Sequence, residues 1–126
     1  MLERYIAEEG NDNGEEVITS DLLNEDPDLI DLIDKFILRL PEMNKNINLA
    51  HKAQDMNAFS NLIHQMKGVG GGYGYPMLTE LCAKIEFQVT AENRENISVL
   101  MKEFNKVVEQ ILSGKDENHN IVASVK

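Results

Sequence analysis

His64 and Lys67 stand one helical turn apart at the head of a run that contains Gly68, Gly70, Gly71, Gly72 and Gly74. An imidazole held in water is mostly uncharged near neutral pH and keeps a free lone pair on one ring nitrogen. It can attack an electrophilic phosphoryl group. An ammonium three residues further along a helix lies on the same side, where it offsets part of the negative charge that a phosphoryl group would add. The glycines leave room beside the histidine for that group and for the surface that donates it. They also cost about 1 kcal/mol each relative to alanine in a helix interior, so the run opposes its own helix. Either the helix ends here, with the glycines in a loop and the histidine incidental, or packing holds a bare backbone surface beside His64.

The element that must present His64 is an amphipathic helix. With Leu62 as the zero of a wheel at about 100° per residue, Phe59, Leu62, Met66, Val69 and Tyr73 fall within roughly 80° of one another. This stripe predicts the core face, with Ile63 outside it. His64 lies nearly opposite and points to water, beside Ser60, Lys67, Gly68 and Gly71. Asp55 or Asn57 can cap this helix, and Gly74-Tyr75-Pro76 breaks it from the next, which buries Leu78, Leu81, Cys82, Ile85 and Val89. Asn93 caps a further helix carrying Ile97, Leu100, Met101, Phe104, Val108 and Ile111, which Ser113-Gly114 ends.

Upstream, Ile30, Ile33, Ile37 and Leu40 predict a helix over about 27–39, stopped by Pro41, after which Met43, Ile47 and Ala50 face inward on a second one. No segment alternates as a strand, and the connections are short, so neighbouring helices run antiparallel. The expected fold is all-α: an antiparallel up-down four-helix bundle over 41–113, with an extra N-terminal helix packed at one end. Residues 1–19, which include Glu8-Glu9-Gly10-Asn11-Asp12-Asn13-Gly14-Glu15-Glu16, are expected to be a flexible acidic arm. The bundle is bounded at 20–114, and 115–126 is expected to be a flexible tail.

Composition narrows the partners. The 126 residues suffice for one domain with a core, 42% are hydrophobic, only 6% are aromatic and tryptophan is absent. Twenty-two acidic against twelve basic residues give a net charge of −10, which opposes association with phosphate backbones and anionic lipid. No apolar run reaches the roughly 18 residues of a membrane span, and the N-terminus lacks a signal pattern, so a cytoplasmic location is expected. Cys82 is the sole cysteine and reads as a buried structural thiol. None of His51, His64 and His119 has a glutamate three positions before it, which argues against a ferritin-like metal site. No nucleophile elbow supports a hydrolase, and Lys67 precedes the glycines where a phosphate-binding loop needs its lysine after them.

His64-x-x-Lys67-Gly68, Gly74 ten residues after the histidine, and then Leu78, Leu81 and Glu86 resemble the signature of histidine-containing phosphotransfer domains. The likeness covers roughly residues 20–113. It implies a helical bundle that accepts a phosphoryl group from an aspartyl phosphate on one receiver domain and passes it to another. By that resemblance His64 is the phosphoacceptor through Nε2, Lys67 stabilises charge, and Gly68 keeps the approach open. Gly71, Ser60, Asn61 and Gln65 complete the expected docking surface, and Ile63, where alanine is common, is expected at its rim. The implied partners are response-regulator receiver domains and a hybrid sensor histidine kinase. No cofactor is expected on this chain, the Mg²⁺ ion belonging to the receiver. The implied role is a monomeric carrier rather than an enzyme; the competing reading is a bundle of this type that docks a receiver or kinase without being phosphorylated.

Overall fold

A computed structural model describes residues 16–125 and is helical throughout, with no strand among the described residues. Two 3-10 turns, Asp21–Asn24 and Pro27–Leu29, lead into four long helices: α1 (Ile30–Lys52), α2 (Met56–Gly72), α3 (Pro76–Thr90) and α4 (Arg94–Ser113). A shorter helix, α5 (Lys115–Val125), follows. Each long helix packs on the next and α1 also packs on α4, which encloses one core. Phe36, Phe59, Phe104, Ile33, Leu40, Ile63, Met66, Leu78 and Ile85 lie fully buried within it.

The helix starts follow local chemistry. The Asp55 carboxylate accepts from the Ala58 amide at 3.2 Å, and the Asn93 side chain accepts from the Asn96 amide at 3.1 Å, so both satisfy donors that a first turn leaves free. Pro76 opens α3, where its missing N–H costs nothing. Gly74, between α2 and α3, has φ +87°, and a side chain there would run into Ser20 Oγ and into the Leu22 amide, 2.9 Å from the added carbon. Only glycine meets both demands.

The expected stop at Pro41 is wrong. Residue 41 is an exposed position inside the single helix α1, so the helix expected at 27–39 is the first part of a rod that continues to Lys52. An internal proline costs about 3 kcal/mol. Ile33, Phe36, Ile37 and Leu40 before it and Ile47 after it are all buried on one stripe. At about 1.5–3 kcal/mol for each such side chain, that continuous burial outweighs the lost bond. The extra element at the end of the bundle is accordingly C-terminal. There α5 packs against α1, α4 and the two 3-10 turns.

The expected tail at 115–126 therefore needs correcting as well. Asn118 of α5 is fully buried: its Oδ1 accepts from the Ser20 amide at 3.0 Å and its Nδ2 donates to the Tyr75 hydroxyl at 3.3 Å. Val122 is buried beside it. The expected arm at 1–19 falls largely outside the described residues, but its end is anchored. The Ile18 amide donates to the Gln110 carbonyl at 3.0 Å, and the absent side chain of Gly114 makes room for the Ile18 carbonyl.

Candidate functional site

Helix α2 runs unbroken through its glycines to Gly72, and its core face is turned from the expected stripe. Phe59, Ile63, Met66 and Gly70 are the buried positions, whereas Leu62, Val69 and Tyr73 are half-buried. This rotates the inward direction by about 50° on the helical wheel. The cause is Gly70, where an added side chain would meet Leu78 Cβ at 3.1 Å and Thr79 Oγ1 at 3.2 Å. Its bare backbone lets α3 close in on that side. Ile63, expected at the rim of a docking surface, is instead fully buried.

His64 still faces outward, with 70% of its side chain exposed. Contacts between α2 and α3 run in reverse chain order from their joining turn. Gly70 and Gly71 meet Thr79, the Thr79 hydroxyl donates to the Lys67 carbonyl at 2.8 Å, and His64 meets Glu86. Glu86 Oε2 lies 2.8 Å from His64 Nδ1, and Oε1 lies 2.6 Å from Lys67 Nζ. One carboxylate thus holds both candidate side chains of α2.

The carboxylate orients the histidine. The Lys67 ammonium, and after it the hydrogen bond from His64, hold the Glu86 carboxyl below the usual carboxylate range against its partial burial. An ionised carboxylate only accepts, so the ring donates from Nδ1, and in the neutral imidazole the lone pair is left on Nε2. Nε2 lies across the ring from Glu86. Beneath the site, burial and then the Glu86 charge push the Cys82 thiol up to about 12, which leaves it protonated and inert as the sequence suggests.

The other expected positions separate into two groups. Ser60, Asn61 and Gly68 share the outward side of α2 with His64, and Gln65 lies further round, away from α3. A side chain added at Gly68 would meet nothing within 4 Å, so that glycine is open surface. Gly71 is exposed yet close to α3, since an added carbon would meet Thr79 Oγ1 at 3.2 Å. Helix α2 carries no carboxylate. The chain's negative charge is concentrated elsewhere: residues 1–29 hold ten of the twenty-two acidic residues and one of the twelve basic ones.

The family model of the Hpt domain matches residues 31–114. The chain belongs to the Hpt domain family. Hpt domains are helical phosphocarrier modules of phosphorelays, and the match takes in all four long helices from Asp31 onward, including His64, Lys67 and Glu86. It stops at Gly114, so α5 and the 3-10 turns lie outside it. Among curated proteins and among solved structures, nothing matches the chain. No helix of the described residues is long and apolar enough to cross a membrane.

Glu86 is the residue whose contact with His64 and Lys67 the sequence pattern does not reveal. It belongs to the family-like signature but stands twenty-two positions from His64, beyond any helical spacing. The hairpin register could have found it, because residues equidistant from the α2–α3 turn face each other. Numbers that sum to about 150 pair here, as Gly71 with Thr79 and His64 with Glu86. His51 and His119 are placed elsewhere. The His51 ring lies 5.4 Å from that of Phe59, and His119 pairs with Asp34.

Proposed function

We propose that this Hpt protein carries phosphoryl groups on His64, taking them from the aspartyl phosphate of one receiver domain and passing them to another. The observation that carries the reading is the Glu86 contact on Nδ1 of the exposed His64, which in the neutral ring leaves the lone pair on Nε2. In the forward step that lone pair forms a bond to phosphorus. The phosphorus–oxygen bond to the donor's aspartate breaks, and its electron pair leaves on the carboxylate. The return step reverses this toward a second receiver.

The chain presents a nucleophile on a rigid bundle, while the donor's acidic pocket and its Mg²⁺ ion stabilise the transition state. The protein is in this sense a carrier and not an enzyme. Its four long helices form an antiparallel up-down bundle that works as a cytoplasmic monomer between a hybrid sensor kinase and a response regulator. Gly68, Gly71, Ser60, Asn61 and Gln65 form the face that the receiver covers, and the absence of carboxylates on α2 suits a partner with an acidic pocket.

The test is label transfer from a panel of phosphorylated receiver domains. Wild type, His51→Gln and His119→Gln should take acid-labile label, and His64→Gln should take none. Receiver binding without label on wild type would make the protein a docking module instead.

A further inference from the structure

We propose that Phe87 on α3 is the apolar anchor for the receiver domain that exchanges phosphate with His64, so that the docking face crosses from α2 onto α3. The proposal rests on the carrier reading and names where the chain gains affinity for its partner.

Among the described residues Phe87 is the one exposed aromatic side chain, 70% accessible to water. The α3 register sets its direction. Leu78, Leu81, Cys82 and Ile85 are buried, and at about 100° per residue Phe87 points opposite their mean direction. The preceding residue, Glu86, lies about a quarter-turn round toward α2 and reaches the His64 ring at 2.8 Å. Adjacent Cα atoms are about 3.8 Å apart, so Phe87 stands level with His64, on the α3 rim of the face from which the imidazole projects. The surface beside them is low, because Gly68 and Gly71 on α2 and Ala83 on α3 are exposed.

Size shows that one partner covers both. A specific complex buries about 800 Å² on each side, which as a round patch has a radius of about 16 Å. Packed helix axes lie about 8–10 Å apart. A patch of that size centred on His64 takes in Phe87. Affinity in such a patch comes from a few large side chains, aromatic ones prominent among them, while small neighbours exclude water. The α2 side offers only the small or polar Ser60, Asn61, Gln65, Gly68 and Gly71 around the histidine. Of the large hydrophobic side chains that the described residues expose, Phe87 alone belongs to α2 or α3.

The charge nearby fits the same partner. Beyond Phe87 a cleft of about 220 Å³ between α3 and α4 is lined by Lys84, Gln88, Asn96, Val99 and Leu100, one cation and no carboxylate. Glu86 is already paired with Lys67 and His64. A receiver, whose phosphorylated pocket is acidic, meets little repulsion there. Leu38 supplies the contrast. It is 78% exposed, but on α1 it points away from the buried stripe of Ile33, Ile37, Leu40 and Ile47, and an isolated exposed leucine is ordinary surface.

The test measures transfer to Phe87→Ala, Phe87→Tyr and Leu38→Ala from a phosphorylated receiver domain that labels wild type, and from phosphoramidate, which needs no docking. Phe87→Ala should raise KM for the receiver about tenfold with kcat within about twofold, and the phosphoramidate rate should stay within about twofold. Phe87→Tyr, which keeps the ring, should restore KM to within about threefold, and Leu38→Ala should match wild type. An unmoved KM in Phe87→Ala would overturn the proposal. Equal slowing with both donors would also overturn it, since the residue would then act on the site or its fold. So would a wild-type dimer in sedimentation that Phe87→Ala splits, because the patch would then seat a second copy of this chain. If no receiver labelled wild type the carrier reading itself would fall, an outcome distinct from a labelled wild type with an unmoved KM.

Discussion

Among the described residues, two histidine–carboxylate pairs have equal length and opposite orientation. Both are 2.8 Å; His64 is 70% exposed against 51% for His119, and their partners Glu86 and Asp34 are 24% and 25% exposed. Glu86 takes Nδ1 of its histidine and gives its second oxygen to Lys67. Asp34 takes Nε2, and its second oxygen is buried without a hydrogen-bond partner among the described residues. The surroundings differ just as clearly. His64 stands beside the open backbone of Gly68, whereas His119 follows the buried Asn118 and ties α5 to α1. A histidine–carboxylate contact is thus no functional signature by itself. What distinguishes the candidate site is which nitrogen remains available, what else the carboxylate holds, and how much room lies in front.

The largest expected effects separate these pairs outright. Glu86→Ala should slow label transfer by about tenfold or more, the scale of a lost positioned group that acts in proton placement, while leaving the unfolding midpoint nearly unchanged. Asp34→Ala should leave transfer within about twofold of wild type and cost about 1 kcal/mol or less in urea unfolding, as exposed ion pairs do. A transfer defect in Asp34→Ala that matches Glu86→Ala would dissolve the distinction.

Glycines sharpen the contrast at the next level. Gly68 and Gly70 both have negative φ, so space alone decides their substitutions. Gly70→Ala would press on Leu78 and Thr79 and should destabilise by about 1–3 kcal/mol. Gly68→Ala should stabilise by up to about 1 kcal/mol. Gly68→Leu should also fold, yet accept phosphate from a receiver far more slowly than from a small phosphodonor that needs no docking. Parallel loss of both reactions would show that the open space before His64 is not a docking face.

The smallest effect is electrostatic. The carboxyl of Glu86 lies below the ordinary range in the folded protein, so its contribution to stability is full above the unfolded value and is lost as pH falls through the folded one. Urea midpoints measured across the acidic range should show this loss in wild type and a shallower one in Glu86→Gln. Identical slopes would mean that the carboxylate gains nothing from Lys67 and His64.

Much of this was legible in the sequence because it depended on local chemistry. The outward direction of His64, the Asp55 and Asn93 caps and the Gly74 break follow from periodicity and short-range hydrogen bonding. What was missed depended on tertiary contact. Pro41 reads as a stop because its local cost is visible and the burial that offsets it is not. Helix α5 escaped notice because its inward anchor is Asn118, a polar residue that no hydrophobic stripe reveals. Gly70 turned the core face of α2 by admitting α3, which buried Ile63. Glu86 came to His64 only through the register of two helices.

The most direct test of the account is nitrogen-15 NMR of the protein phosphorylated by a receiver domain, with the histidine rings labelled. The phosphoryl group should be found on Nε2 of His64, with hydrogen retained on Nδ1. Phosphorus on Nδ1 of His64, or on the ring of His51 or His119, would contradict the claim that Glu86 sets the nucleophile.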